Sequence, residues 1–273
     1  MERIKDAIQK AKQQQVVANA NVRTTALNPT LAAASQGEVV DVAYRQTRVA
    51  HLDHAHLAKN RIIAFDKSDP MSVSFDILRT KVLSRMEEHG WRTLAITSPV
   101  PECGKTVMAI NLALSISQHT SKTTMLVDFD LRRPQIAQYL GLTLKKSLND
   151  VLEGSDNVAD ALINPDIPRM VVLPTARPFN RPSETLHSGK TKLLISDLRE
   201  RYQERIVLFD LPPLLSSDDV MAVLPEIDCV LLVVGNGQVT STEINESLRC
   251  LQGSELLGVV LNKAEQNRDG LYY

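Results

Sequence analysis

A chain of 273 residues with 43% hydrophobic and 23% charged side chains carries enough apolar surface for one domain with a large core plus additional segments. Its 31 Lys and Arg nearly cancel its 32 Asp and Glu, for a formal net charge of -1. That balance argues against a general nucleic-acid binder, so any attraction to phosphate or to a membrane has to be local. The longest apolar runs, such as residues 229–235, fall far short of the roughly 20 residues that cross a bilayer. Three scattered cysteines, Cys103, Cys229 and Cys250, form neither a disulfide framework nor a metal-binding pair.

In chain order, the first 19 residues place Ile4, Ala7, Ile8 and Ala11 at helical spacing among charged and amide side chains. They are expected to form an amphipathic helix, serving either as a docking element or as a cap on its own domain. No apolar core of roughly 7 to 15 residues like that of a signal peptide is present there, so a cytoplasmic chain is expected. Periodicity fades over residues 20–60, which read as a flexible linker. That stretch holds His51, His54 and His56. With no second ligand group and no obvious rigid element, they are expected in a solvated segment rather than a metal cluster.

A domain is expected over residues 61–265, followed by a tail over 266–273. Phe75, Leu78 and Val82 recur at helical spacing and predict a helix from about 71 to 86 that packs against a sheet. Near-continuous apolar runs at 93–98, 124–130, 170–175, 205–210, 229–235 and 256–262 read as strands buried on both faces. Helices are expected between them at 105–118, 188–203 and 240–252. The alternation predicts an α/β fold with a doubly wound, mostly parallel sheet, whose ligands sit at the carboxyl ends of its strands.

The first of these strands ends in Thr97-Ser-Pro-Val-Pro-Glu-Cys-Gly-Lys-Thr106, followed by a helix. Pro99 stands where a phosphate loop has its first glycine, while Gly104, Lys105 and Thr106 keep the last three positions. What such a loop needs remains: amides at a helix N-terminus, a cation for the β- and γ-phosphates, and a hydroxyl for Mg²⁺. Glu102, Cys103, Gly104, Lys105, Thr106 and Val107 are therefore the candidate nucleotide-binding residues. Asp128 and Asp130 close a second strand and Asp210 a third. One such aspartate alone is a cap or turn residue. Three of them with a GKT loop point to a nucleotide and Mg²⁺ site of a P-loop NTPase with deviant Walker motifs.

The blocks "TSPVPECGKTVMAINLALSIS", "MLVDFDLRRPQIAQYLGL", "VLPTARPFNRPSETL", "IVLFDLPPLLSSDD" and "LLGVVLNK" resemble, in order and spacing, the bacterial tyrosine kinases of capsule and exopolysaccharide synthesis, relatives of the Min and Par partitioning ATPases. The resemblance covers about residues 71 to 263. It implies ATP and Mg²⁺ as cofactors, with Lys105, Asp128, Asp130 and Asp210 as catalytic residues. Thr106, Asp128 and Asp210 would lie at the metal, Asn262 near the base, and Arg132 and Arg133 in the second block. Phosphoryl transfer would follow by positioning and charge neutralisation. Lys105 would hold the β/γ-phosphates, Asp128 would orient or deprotonate the acceptor, and Asp130 and Asp210 would organise the metal. Tyr272 and Tyr273 are the candidate phosphoacceptors; Tyr139 and Tyr202 read as packing residues.

The implied partner is a membrane polysaccharide co-polymerase, or chain-length regulator, that recruits the protein to the inner face of the membrane. Nucleic acid is not among the implied partners. A homo-oligomer is a further implication, although the family's E-x-x-R-x-x-R ring helix keeps only Arg79 here, with Val73 and Asp76 at the other two positions. Glu102 stands where the family commonly has glycine, which lowers the expected nucleotide affinity. Cys103 reads as a small buried thiol rather than a redox switch. The alternatives are a regulator that cycles with nucleotide and phosphorylates no tyrosine, or a partitioning-type ATPase, whose signature lysine is Val100 here.

Overall fold

Runs of β-branched and leucine residues become strands here because both of their faces can be covered. The computed structural model describes residues 47–66, 68–118 and 122–264. The expected N-terminal helix and both terminal tyrosines lie outside them. The elements in chain order are β1 (Arg48–Val49), α1 (His54–Lys59), α2 (Ser72–His89), β2 (Thr93–Thr97), α3 (Lys105–Ser117), β3 (Thr123–Asp128) and α4 (Ile136–Leu140). There follow α5 (Leu148–Glu153), α6 (Val158–Ala161), β4 (Ile163–Asn164), β5 (Met170–Leu173), α7 (Pro182–His187), α8 (Gly189–Glu200) and β6 (Arg205–Asp210). The described chain closes with α9 (Asp219–Val223), β7 (Cys229–Gly235), α10 (Ser241–Cys250) and β8 (Leu256–Asn262).

The strands form one sheet in the order β1-β4-β5-β3-β6-β2-β7-β8, parallel throughout except where β4 meets β5. Side chains alternate faces with period two. Leu94, Ile96, Leu126 and Leu208 join the core beneath α3, while Ala95, Val127, Val207 and Phe209 join the core beneath α8. Each fully buried Leu, Ile or Val contributes about 1.5–3 kcal/mol of hydrophobic burial, so the six apolar runs drive the sheet. The edge strand β8 is half exposed, unlike β2, β3 and β7.

The connection from β2 leads across β6 to β3, whereas β6 leads across β2 to β7. Chain paths therefore diverge at the β2/β6 boundary, the crevice position where open α/β sheets bind ligands. Register sharpens this: Asp128 of β3 lies opposite Asp210 of β6, and Asp210 lies opposite Ile96 of β2. Three strand ends thus finish level with one another, and their following loops meet.

Two expectations change. The helix predicted over 71–86 packs chiefly on α3, not directly on the sheet, because α3 already covers that face. Residues 48–60, expected as the end of a flexible linker, are ordered as β1 and α1. Asp53 caps α1 by accepting from the Ala55 amide, and Leu57 is buried in the core beneath α3. His51 and His54 face solvent, as expected, although the segment that carries the three histidines is ordered. His56 hydrogen-bonds the Gln138 carbonyl at 2.8 Å, His54 lies edge-on to Phe65, and His51 pairs with Asp166. Tyr139 is half-buried against the core on α4. Tyr202 falls beyond the end of α8, exposed, with the Arg205 guanidinium over its ring.

Candidate active site at the carboxyl ends of β2, β3 and β6

The phosphate loop turns out of β2 at Ser98 and enters α3 at Lys105. Gly104 holds φ +87°, a left-handed conformation that glycine adopts without penalty. A Cβ there would also collide with the Asn262 side-chain amide. That amide donates to the Cys103 carbonyl at 2.9 Å, so β8 clamps the loop. Lys263 adds a second clamp, from its Nζ to the Glu102 carbonyl at 2.6 Å. Glu102 itself sits at φ +65°, which explains why glycine suits this position. Cys103 is buried, in keeping with an inert thiol.

Behind the loop lies a charge cluster that the protein keeps from water. Lys105 Nζ is 2.9 Å from Asp130 Oδ2 and 3.4 Å from Asp210 Oδ1. Thr106 Oγ1 donates to Asp210 Oδ2 at 2.6 Å. Asp130 Oδ1 accepts from the Arg133 amide, and Asp128 Oδ2 accepts from the amides of Gln135 and Ile136 at the start of α4. Asp128 Oδ1 is buried and has no hydrogen-bond partner.

Burial alone would loosen the Lys105 proton, but the carboxylates of Asp210 and Asp130 outweigh it and raise the ammonium pKa above the ordinary value. Burial, reinforced by Asp210, pushes Asp128 well above the usual carboxylate range. Burial likewise raises Asp210, against the opposing pull of Lys105 and Thr106.

A cavity of about 800 Å³ opens in front of this cluster. Glu102, Gly104, Lys105, Thr106, Val107 and Asp130 line it, whereas Cys103, Asp128, Asp210 and Asn262 are not part of its lining. The structure also brings residues that no motif indicated. Lys59 and Asn60 line the cavity from the segment expected as linker, Arg61 from the residue after it, and Lys263 from the end of β8. Arg132 is held by Asp219, a fully buried carboxylate that also accepts from Ser183. The sequence carries no spacing signal for that pairing, since 87 residues separate the partners.

The donor set suits Mg²⁺. The Thr106 hydroxyl, Asp210 and the orphaned Asp128 oxygen are hard oxygen donors, and Mg²⁺ beside a nucleotide needs only one or two carboxylates plus phosphate oxygens. Among the described residues no three His, Cys, Asp or Glu side chains form a metal cage of their own.

No protein-family profile matches the chain. It is 31% identical over 195 residues to the tyrosine-protein kinase Wzc of Salmonella typhimurium, covering 71% of this chain and 27% of that one. Over 186 residues it is 29% identical to the succinoglycan biosynthesis transport protein ExoP of Rhizobium meliloti, covering 66% and 23% of the two chains. The chain spans about a quarter of the length of the first curated relatives it matches. Among solved structures, the VpsO kinase domain aligns over 78% of this chain and 100% of its own, with a TM-score of 0.65 and 27% identity. The septum site-determining protein MinD of Pyrococcus horikoshii, solved with Mg-ADP, shares the fold with a TM-score of 0.53 at 22% identity, over 64% of this chain and 72% of its own. Over about 70% of the chain its homologues are thus bacterial tyrosine-protein kinases, and its fold is that of a bacterial tyrosine-kinase domain, shared more distantly with MinD.

Proposed function

We propose that the chain transfers the γ-phosphoryl group of ATP to protein tyrosine and so regulates exopolysaccharide or capsule synthesis and export. One observation carries this reading: a buried lysine, Lys105, held between Asp130 and Asp210 at the mouth of a phosphate loop. In the nucleotide complex the β/γ-phosphates would take the place of those carboxylates as partners of Lys105, and the amides around Gly104 would hold the same oxygens. Thr106, Asp210 and Asp128 would hold Mg²⁺, which when bound neutralises charge on the phosphate oxygens.

Asp128 has one oxygen committed to backbone amides and one with no partner, and its raised proton affinity suits a group that accepts a proton. In the transfer, the bond from the γ-phosphorus to the β,γ-bridging oxygen breaks and a bond to the tyrosine oxygen forms. The tyrosine proton passes to Asp128. Tyr272 and Tyr273 are the proposed acceptors, presented by a second copy of the chain. A membrane polysaccharide co-polymerase is the proposed activating partner and recruits the protein to the inner face of the membrane. The printed role of ExoP in succinoglycan biosynthesis and transport motivates that choice.

The test incubates purified protein with Mg²⁺ and γ-labelled ATP, beside Lys105→Met and a Tyr272→Phe/Tyr273→Phe variant, and reads phosphotyrosine and released phosphate separately. Loss of tyrosine label in both variants is the expected result. Phosphate release without any tyrosine label would overturn the kinase reading in favour of a regulatory ATPase. The charged, left-handed Glu102 in the loop is the observation that favours that alternative.

A further inference from the structure

The phosphate loop and Asp130 account for part of the cavity lining, but not for the cationic side chains that line the rest. Six cationic and two acidic side chains line the cavity. Three of the cations are engaged: Lys105 with Asp130 and Asp210, Arg132 with Asp219, and Lys263 with the Glu102 carbonyl. The other three, Lys59, Arg61 and Arg133, are exposed, and each belongs to the α1 and α4 side. Lys59 is the last residue of α1, and Arg133 lies three residues before α4. The His56 ring ties the two helices together through the Gln138 carbonyl.

This wall is built rather than draped. Asn111 of α3, fully buried, accepts from the amides of Ile63 and Ala64 at 2.8 and 2.9 Å and donates to the Arg61 carbonyl at 3.0 Å. Arg61 is thereby held at φ +59°, a left-handed conformation for a non-glycine residue that persists only where surrounding structure over-determines it. Leu57 anchors the preceding helix in the core. A fixed backbone thus presents positive charge, unpaired among the described residues, beside the end of β3 and the loop that follows it, which carry Asp128 and Asp130.

We propose that Lys59, Arg61 and Arg133 form a docking rim for an acidic polypeptide segment that carries the acceptor tyrosine. The inference rests on the kinase reading and names the class of substrate that it acts on. Carboxylates flanking the tyrosine would pair with the rim and set the phenol on the β3 side of the cavity, while the nucleotide phosphates stay with the loop and Lys105. Complementary rim charges of this kind supply specificity and association rate more than raw affinity.

The test uses the full chain with Mg²⁺ and a non-hydrolysable ATP analogue. It measures, by fluorescence anisotropy, binding of a labelled peptide with one tyrosine among glutamates and of a matched peptide with glutamines. The glutamate peptide is expected to bind about tenfold more tightly at low salt and to lose that advantage in high salt. Lys59→Glu/Arg61→Glu is expected to abolish the difference while leaving analogue affinity within about twofold, and Lys59→Gln/Arg61→Gln to fall between. Equal binding of the two peptides, or a variant that loses the nucleotide and keeps the peptide, overturns the proposal. Because binding is read without turnover, an absence of phosphotyrosine in the labelling experiment would defeat the kinase reading without deciding the fate of the rim.

Discussion

Two sets of cations face the same cavity, and they are held in opposite ways. Lys105 is buried, its ammonium paired with Asp130 and Asp210. Lys59 and Arg61 are exposed on a segment stitched to α3 through Asn111. Removing a buried charge leaves uncompensated partners behind, whereas removing an exposed one leaves only solvent in its place. The first set can therefore carry chemistry, and the second can carry only recognition. What separates them is desolvation, not residue type.

The largest effect is expected from breaking the buried set. Lys105→Met should lower phosphate release by on the order of 10²–10³-fold, because it removes the buried ammonium between Asp130 and Asp210 that would stabilise charge developing on the phosphates. A turnover assay with γ-labelled ATP measures this directly.

Next comes the scaffold of the exposed set. Asn111→Ala removes four hydrogen bonds, three of them to residues 61–64, and leaves the buried Ala64 amide without its acceptor, for a loss of about 2–3 kcal/mol. Thermal unfolding should register that loss, and limited proteolysis should find new cleavage within residues 50–64. A variant with unchanged melting and unchanged cleavage would show that α1 and the segment after it are held without Asn111, by contacts such as Leu57 in the core and His56 on the Gln138 carbonyl.

Gly104→Ala tests the loop that the two sets flank. A left-handed alanine costs roughly 1–2 kcal/mol, and its Cβ displaces the Asn262 clamp. Nucleotide affinity is expected to fall together with the melting temperature. A fall in only one of them would separate the strain of the loop from its function.

Asp128→Asn sharpens the comparison through pH. In the folded state Asp128 holds its proton to a higher pH than in the unfolded chain, because burial and then Asp210 oppose its ionisation. Below the ordinary carboxylate range both states are protonated and there is no penalty. As pH rises through the ordinary range toward the raised folded value, the unfolded state ionises first and stability declines. The variant keeps an acceptor for the Gln135 and Ile136 amides and escapes that decline, so its gain in melting temperature over the parent should be larger at pH 8 than at pH 4.5. A gain independent of pH would mean that Asp128 is not protonated in the ligand-free fold. Smallest of all, Lys59→Glu/Arg61→Glu should change stability by no more than about 0.5 kcal/mol, with its effect confined to binding of acidic peptide.

Much of the fold could be read in the chain because its strands are buried on both faces. Such strands appear as unbroken apolar runs, and residues 205–210 and 229–235 are found as strands with those bounds. The loop residues Gly104, Lys105 and Thr106 were legible for a similar reason: backbone amides at a helix start need that spacing whatever surrounds them. Residues 48–60 were not legible. Their order depends on Leu57 in the core, on the pairing of β1 with β4 and on the His56–Gln138 contact, all with distant segments that leave no local periodicity. The Arg132–Asp219 pair was hidden in the same way, its members joined only by the meeting of loops after β3 and β6.

The sequence by itself therefore determined the sheet, the phosphate loop and the carboxylates at the strand ends, because hydrophobic periodicity and local spacing are properties of neighbouring residues. Only the tertiary structure decided which charges are buried and which face water, and that α1 walls the cavity with Lys59 and Arg61. It also decided that Asn262 closes on Cys103 from 159 residues away. Those outcomes depend on strand order and register, which bring distant segments together through contacts that no single stretch of sequence contains.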